Sequence, residues 1–132
     1  MATIKRFEDL ECWQLARELE KDVFLCTKIG GLSRDFKMRD QMLSSSGSIM
    51  DNIAEGFERG GNKEFSQFLS IAKGSAGELK SQLYRAMDRG YILKEEFETL
   101  YNKTEIVAKK ISGLMNYLAD SEMKGSKYKH RL

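Results

Sequence analysis

Between Phe65 and Ala86, eight apolar side chains recur at spacings of three, one, three, four, three, four and three residues. Only an α-helix brings residues so spaced onto one face, and that face must then be buried against another element. The same rhythm runs through three further stretches. Leu10, Trp13, Ala16, Leu19, Val23 and Cys26 predict a helix from about Glu8 to Ile29, with charged Glu11, Arg17, Glu18, Lys21 and Asp22 on its other side. Phe36, Met42, Ile49, Ile53 and Phe57 predict a second, opened by Ser33 as N-cap. Phe97, Leu100, Thr104, Val107, Ile111, Leu114 and Leu118 predict a last one, beginning near Lys94 and fading beyond Ser121. No proline occurs in the chain, so none of these helices is broken by a missing N–H.

The breaks between the helices are short and rich in glycine. Gly30-Gly31, Gly60-Gly61 and Gly90 act as helix stops, and Asn62 reads as the N-cap of the helix through Phe65. Long helices joined by so few residues pack as antiparallel neighbours. The expected fold is all-α: an antiparallel up-down-up-down four-helix bundle over residues 1–123, followed by a tail at 124–132 with no apolar pattern, expected to be disordered. One segment tests this reading. Ser44-Ser45-Ser46-Gly47-Ser48 has poor helix propensity, yet Met42, Ile49, Ile53 and Phe57 stay in phase across it, so the helix is expected to continue.

Small residues crowd the two central helices. Gly47, Ala54, Gly56, Ala72, Gly74, Ala76 and Gly77 all fall inside helical patterns. Each helix-interior glycine costs about 0.5–1 kcal/mol relative to alanine, so Gly56, Gly74 and Gly77 are candidate contacts between helices or subunits. Asn52 and Glu55 beside them read either as a buried polar pair setting register or as ordinary exposed side chains. Apolar residues also fall off the main stripes: Leu15, Phe24, Met38, Leu43, Met50, Ile71, Tyr84, Tyr101, Met115 and Tyr117. A bundle of this size has no room inside for all of them, and the surplus points to self-association.

Chemistry is sparse. The one histidine, His130, lies in the tail, which leaves no Ser-His-Asp or Cys-His arrangement in the body. Glu55-Gly56-Phe57-Glu58 lacks the histidine of the Glu-x-x-His pairs that build di-iron bundles. Gly60-Gly61-Asn62-Lys63 matches no phosphate-loop spacing. Cys12 and Cys26 read as reduced thiols on the first helix rather than as a disulfide or a zinc site. No catalytic residue, cofactor, metal or small-molecule substrate is evident, and the chain is expected not to be an enzyme. No apolar run approaches the ~20 residues of a membrane span. The opening MATIKRFEDLE does not read as a secretory signal, so the expected address is the cytoplasm.

The net charge of +2 hides an uneven distribution. Residues 124–132 carry Lys124, Lys127, Lys129 and Arg131 and no acid, which leaves the other 123 residues with 18 basic and 20 acidic side chains. Each tail cation can neutralise a phosphate and Tyr128 can stack on a base, so the tail is a candidate RNA- or DNA-binding segment.

Four blocks then carry a resemblance. They are Phe7-Glu8-Asp9-Leu10-x-x-Trp13-Gln14-x-Ala16, Asn52-Ile53-Ala54-Glu55-Gly56-Phe57, Lys63-Glu64-Phe65-x-x-Phe68-Leu69-x-Ile71-Ala72-x-Gly74-Ser75, and Glu78-Leu79-x-x-Gln82-Leu83. In this order they resemble the 23S rRNA intervening-sequence proteins, a bacterial four-helix bundle family. The resemblance implies assembly as a ring-like homo-oligomer, typically a homopentamer, and a relation to the basic accessory protein of diversity-generating retroelements, which binds nucleic acid. It supplies no catalytic residue. The expected function is therefore a non-enzymatic oligomer that binds RNA or DNA; the alternative is a protein-binding adaptor with no nucleic-acid role.

Overall fold

The computed structural model describes residues 4–127. Its elements are a 3-10 turn Phe7–Asp9, then α1 (Glu11–Thr27), α2 (Gly30–Arg34), α3 (Phe36–Glu58), α4 (Asn62–Asp88) and α5 (Lys94–Lys127). There is no strand among the described residues.

Each of the four long helices packs on two others, α1 and α4 each lying against both α3 and α5. Cross-helix ties give the directions. Along α3 and α4, Arg89 pairs with Asp35, Arg85 with Gln41, and Ser75 with Ser48, so one numbering rises as the other falls. Asp22 with Lys103 and Glu11 with Lys110 do the same for α1 and α5. Lys80 with Glu105, 2.6 Å apart, and the rings of Tyr84 and Phe97, 4.7 Å apart, do so for α4 and α5.

The predicted stripes form the core, with the exception of Phe36, which is exposed. Ala16, Leu19 and Val23 meet Met42, Ile49 and Ile53, Leu69, Ala72, Ala76, Leu79 and Leu83, and Val107 and Ile111, all essentially inaccessible to water. Full burial of one such aliphatic side chain contributes about 1.5–3 kcal/mol. The exposed ion pairs on the outside contribute about 0–1 kcal/mol each, so apolar packing holds the fold together.

Several boundaries differ from the sequence reading. The first helix begins at Glu11, because Leu10 is extended and Phe7–Asp9 forms a separate 3-10 turn. It ends at Thr27, and Gly30-Gly31 open the short α2 instead of simply stopping a helix; Gly30 takes a φ of +58°. Ser33 is not the N-cap of α3: its hydroxyl donates to the Gly30 carbonyl inside α2. The cap is Asp35, whose Oδ1 accepts the Met38 N–H at 3.2 Å. Asn62 is the first residue of α4, after extended Gly61. At Gly90 the reading holds: φ is +73°, the Tyr91 N–H bonds to the Ala86 carbonyl, and the Gly90 N–H bonds to that of Met87, closing a Schellman motif.

The helix does run unbroken through Ser44–Ser48. Its serines point to partners: Ser45 to Glu78, Ser46 back to the Leu43 carbonyl, and Ser48 to Ser75. Side-chain bonding to α4 thus compensates for weak propensity. Helix α5 passes the expected end near Ser121 and continues to Lys127, a length of about 50 Å at 1.5 Å per residue. Of the surplus apolar residues, Met38 belongs to the core and Leu15, Leu43, Met50, Tyr101 and Met115 pack against it, while Phe24, Ile71, Tyr84 and Tyr117 remain exposed.

Gly56 is the tightest point of the α3–α4 contact. A Cβ there would lie 2.6 Å from the Phe68 Cβ and 3.0 Å from the Phe65 ring. Gly56→Ala is expected to destabilise the protein in urea unfolding by about 1–3 kcal/mol from overpacking, despite alanine's better helix propensity. Gly113→Ala, where nothing lies within 4 Å, should instead stabilise by about 0.5–1 kcal/mol.

Candidate functional site

The residues singled out in the sequence separate into two places. Asn52, Glu55, Gly56, Gly74 and Gly77 lie along α3 and α4. Asn52 is half-buried; its Nδ2 donates to the Ser48 carbonyl at 2.8 Å and to the Ser48 hydroxyl at 2.9 Å. That hydroxyl meets the Ser75 hydroxyl at 2.9 Å, so Asn52 braces a polar tie between the two helices. Glu55 does not join it. It faces solvent and pairs with Arg59 one turn on, at 2.8 Å, so the two side chains form no buried pair. Gly56 is buried against Phe65 and Phe68, whereas Gly74 and Gly77 are exposed, and a Cβ at either would meet nothing of its own chain within 4 Å.

The second place is the C-terminus. Lys124 and Lys127 fall within the last turns of α5. Tyr128, Lys129, His130 and Arg131 lie outside the described residues.

Further along the α3–α4 seam is a polar cluster that the sequence did not announce. The Gln82 Nε2 donates to the Ser45 hydroxyl at 2.9 Å, and that hydroxyl donates to Glu78 at 3.1 Å. Gln82 and Ser45 are both buried. Their separation of 37 positions explains why no local pattern revealed them.

At the end of the molecule where α1 finishes and α3 starts, Asp35 ties three segments. Besides capping α3, its Oδ2 accepts from the Tyr91 hydroxyl at 2.8 Å and from Arg89 at 3.0 Å. The Tyr91 hydrogen bond first, then the Met38 N–H and the Arg89 charge, hold the Asp35 carboxyl below its usual value of 3.8. The same bond to Asp35 pushes the Tyr91 phenol up. Around this node Phe24, Leu25, Ile29, Phe36 and Leu93 are exposed, which puts most of the large apolar surface at one end.

The two thiols are poor nucleophiles: burial pushes both Cys12 and Cys26 up to about 11. Among the described residues no three His, Cys, Asp or Glu side chains come together in a metal-holding group. Among the same residues no helix is long and apolar enough to cross a membrane.

Fold and sites together define a small all-helical protein whose distinctive surfaces are the grooves between its helices and its two ends. Residues 8–113 match the model of the family described as 23S rRNA-intervening sequence protein. The chain belongs to that family. No match is found among curated proteins. Among solved structures, it is similar to a protein of unknown function from the S23 ribosomal protein family of Bacteroides thetaiotaomicron VPI-5482. The TM-score is 0.73 at 24% identity, covering 80% of this chain and 95% of that one, and the likeness is one of fold.

The Asp35 node makes a pH prediction. A carboxyl whose folded pKa lies below its unfolded value stabilises above the unfolded value, and that stability is lost as pH falls through the folded one. Asp35→Asn should therefore melt lower than wild type at pH 7. In melts taken downward from about pH 4 the two curves should converge. Tyr91→Phe should also melt lower at pH 7 and should lose part of the wild-type stability change above about pH 10, where the raised phenol ionises.

Proposed function

We propose that the four long helices form an up-down-up-down bundle that assembles as a ring-like homo-oligomer of five copies, carries no catalysis, resides in the cytoplasm, and binds RNA or DNA through the basic tails. The observation that carries this reading is the family match over residues 8–113. Exposed Ile71, Tyr84 and Tyr117, on faces the protomer leaves open, support assembly. So do Gly74 and Gly77, whose bare backbone on the outer side of α4 would let a neighbouring helix approach closely. The four cations of residues 124–132, repeated by symmetry, would concentrate positive field at one end of the ring.

A second reading has its own observation. The apolar end formed by Phe24, Leu25, Ile29, Phe36 and Leu93 suits a protein partner, which favours an adaptor.

Light scattering after size exclusion should give wild type a mass of several protomers and Gly74→Leu a smaller one; an unchanged mass contradicts a subunit contact at Gly74. In mobility shifts on structured RNA, removing residues 124–132 should lower the salt dependence of log K by about 3 for each tail engaged. An identical slope for the truncation contradicts the tail mechanism. Pull-down of a protein that survives nuclease treatment would favour the adaptor.

A further inference from the structure

Helices α3 and α5 both begin at the Asp35 end of the molecule, because each runs antiparallel to α4. They stand at opposite corners there. Since α1 and α4 each lie against both, α3 and α5 face each other across a diagonal of the bundle.

The two corners carry opposite charge. At the start of α3, Arg34 and Lys37 are exposed and, among the described residues, have no ion-pair partner. The nearby acids Asp35 and Asp40 are already held, by Arg89 and Arg39. At the start of α5, Glu95 and Glu98 are exposed and equally without an ion-pair partner, and Glu96 accepts the Leu93 N–H. Lys94 is the one cation of that turn. A helix N-terminus is the positive end of its dipole. The acids of α5 suit that position. The cations of α3 oppose it, and beyond the Asp35 cap the first turn of α3 holds no acid to offset them.

Beside the charged corners lies apolar surface. Leu25 and Ile29, at the end of α1, line a groove together with Glu95 and Glu96. Phe36 opens α3 and Leu93 precedes α5. With Phe24, these side chains are 44–71% exposed. Together they present about 600 Å² of apolar surface, at the top of the range for a free monomer. With its charged rim this end approaches the ~800 Å² that each partner buries in a stable pair.

We propose that this end is the contact for a second copy of the chain, related to the first by a two-fold axis along the α1–α4 diagonal. Such an axis lays α1 on α1, so that Leu25 and Ile29 meet their own counterparts. It also sets each α3 corner over the α5 corner of the other copy, so Arg34 and Lys37 face the α5 acids twice over. The end is complementary to itself, which a foreign partner would not require. The contact goes beyond the ring: it uses the bundle end and leaves the outer side of α4 free, so single protomers and whole rings would pair alike.

The test is sedimentation equilibrium over a concentration series, with melting curves as the fold control. Arg34→Glu with Lys37→Glu should halve the mass at concentrations where wild type is paired, raising the dissociation constant at least about tenfold by like-charge repulsion. Glu95→Lys with Glu98→Lys should do the same. A chain carrying all four reversals should regain the wild-type mass, and so should an equimolar mixture of the two reversed variants. These four side chains are exposed, so the variants should melt close to wild type. A ring that fails to form changes the starting mass but not the halving. A mass left unchanged by either pair of reversals would overturn the proposal. Failure of the folded four-reversal chain to regain the wild-type mass would overturn it as well.

Discussion

At Gly56 the backbone of α3 lies so close to Phe65 and Phe68 of α4 that no side chain can stand between them. That contact sets how far apart the two helices are and which residues face each other. From it the seam follows in order: Ser48 opposite Ser75, Ser45 opposite Glu78 and Gln82, Gln41 opposite Arg85, and Asp35 opposite Arg89. A shift of one turn would misplace every one of these bonds and bring a side chain to the point where only Gly56 fits. The polar seam therefore specifies the register, and the apolar core, with Leu79, Leu83, Ile49 and Ile53 at its centre, supplies the stability.

The seam also separates the surfaces on which function can be built. Its inner side is closed by the core, and its outer side opens as a groove lined by Lys37, Glu78 and Arg85. The outer side of α4, with Gly74 and Gly77, is bare backbone, open to a neighbour. The end at Asp35 gathers exposed apolar side chains around a charged, hydrogen-bonded node. Membership of the 23S rRNA-intervening sequence protein family fits such a molecule, in which grooves and ends, rather than a cluster of reactive groups, are the features to explain.

The stripe from Phe65 to Ala86 was legible because its period is a local property, and the helix it predicts is present with nearly the expected limits. The continuity of α3 through Ser44–Ser48 was legible from phase, although the bonds that make it possible reach to α4 and were not. Ser33 and Asp35 are both good caps by residue type, and only the turn at Gly30–Arg34 decides between them. Met38, four residues before Met42, is in phase with the buried face, whereas Phe36, from which the expected stripe was started, points outward and is exposed. Gly56, Gly74 and Gly77 look alike in sequence, but only the first touches another helix of its own chain, because contact depends on which way each faces in the assembled fold. Gln82 was hidden for the same reason: its partner is 37 positions away.

The claim on which the rest depends is that the α3–α4 pair is the most tightly specified part of the molecule. Native-state hydrogen exchange tests it directly, since amides in the best-packed unit open only with global unfolding. The slowest amides should be those of α3 and α4 flanking Gly56, around Ile49–Ile53 and Leu69–Ala76, with the C-terminal turns of α5 exchanging fastest among the helices. Slowest exchange in α1 and α5, with α3 and α4 opening first, would contradict the account.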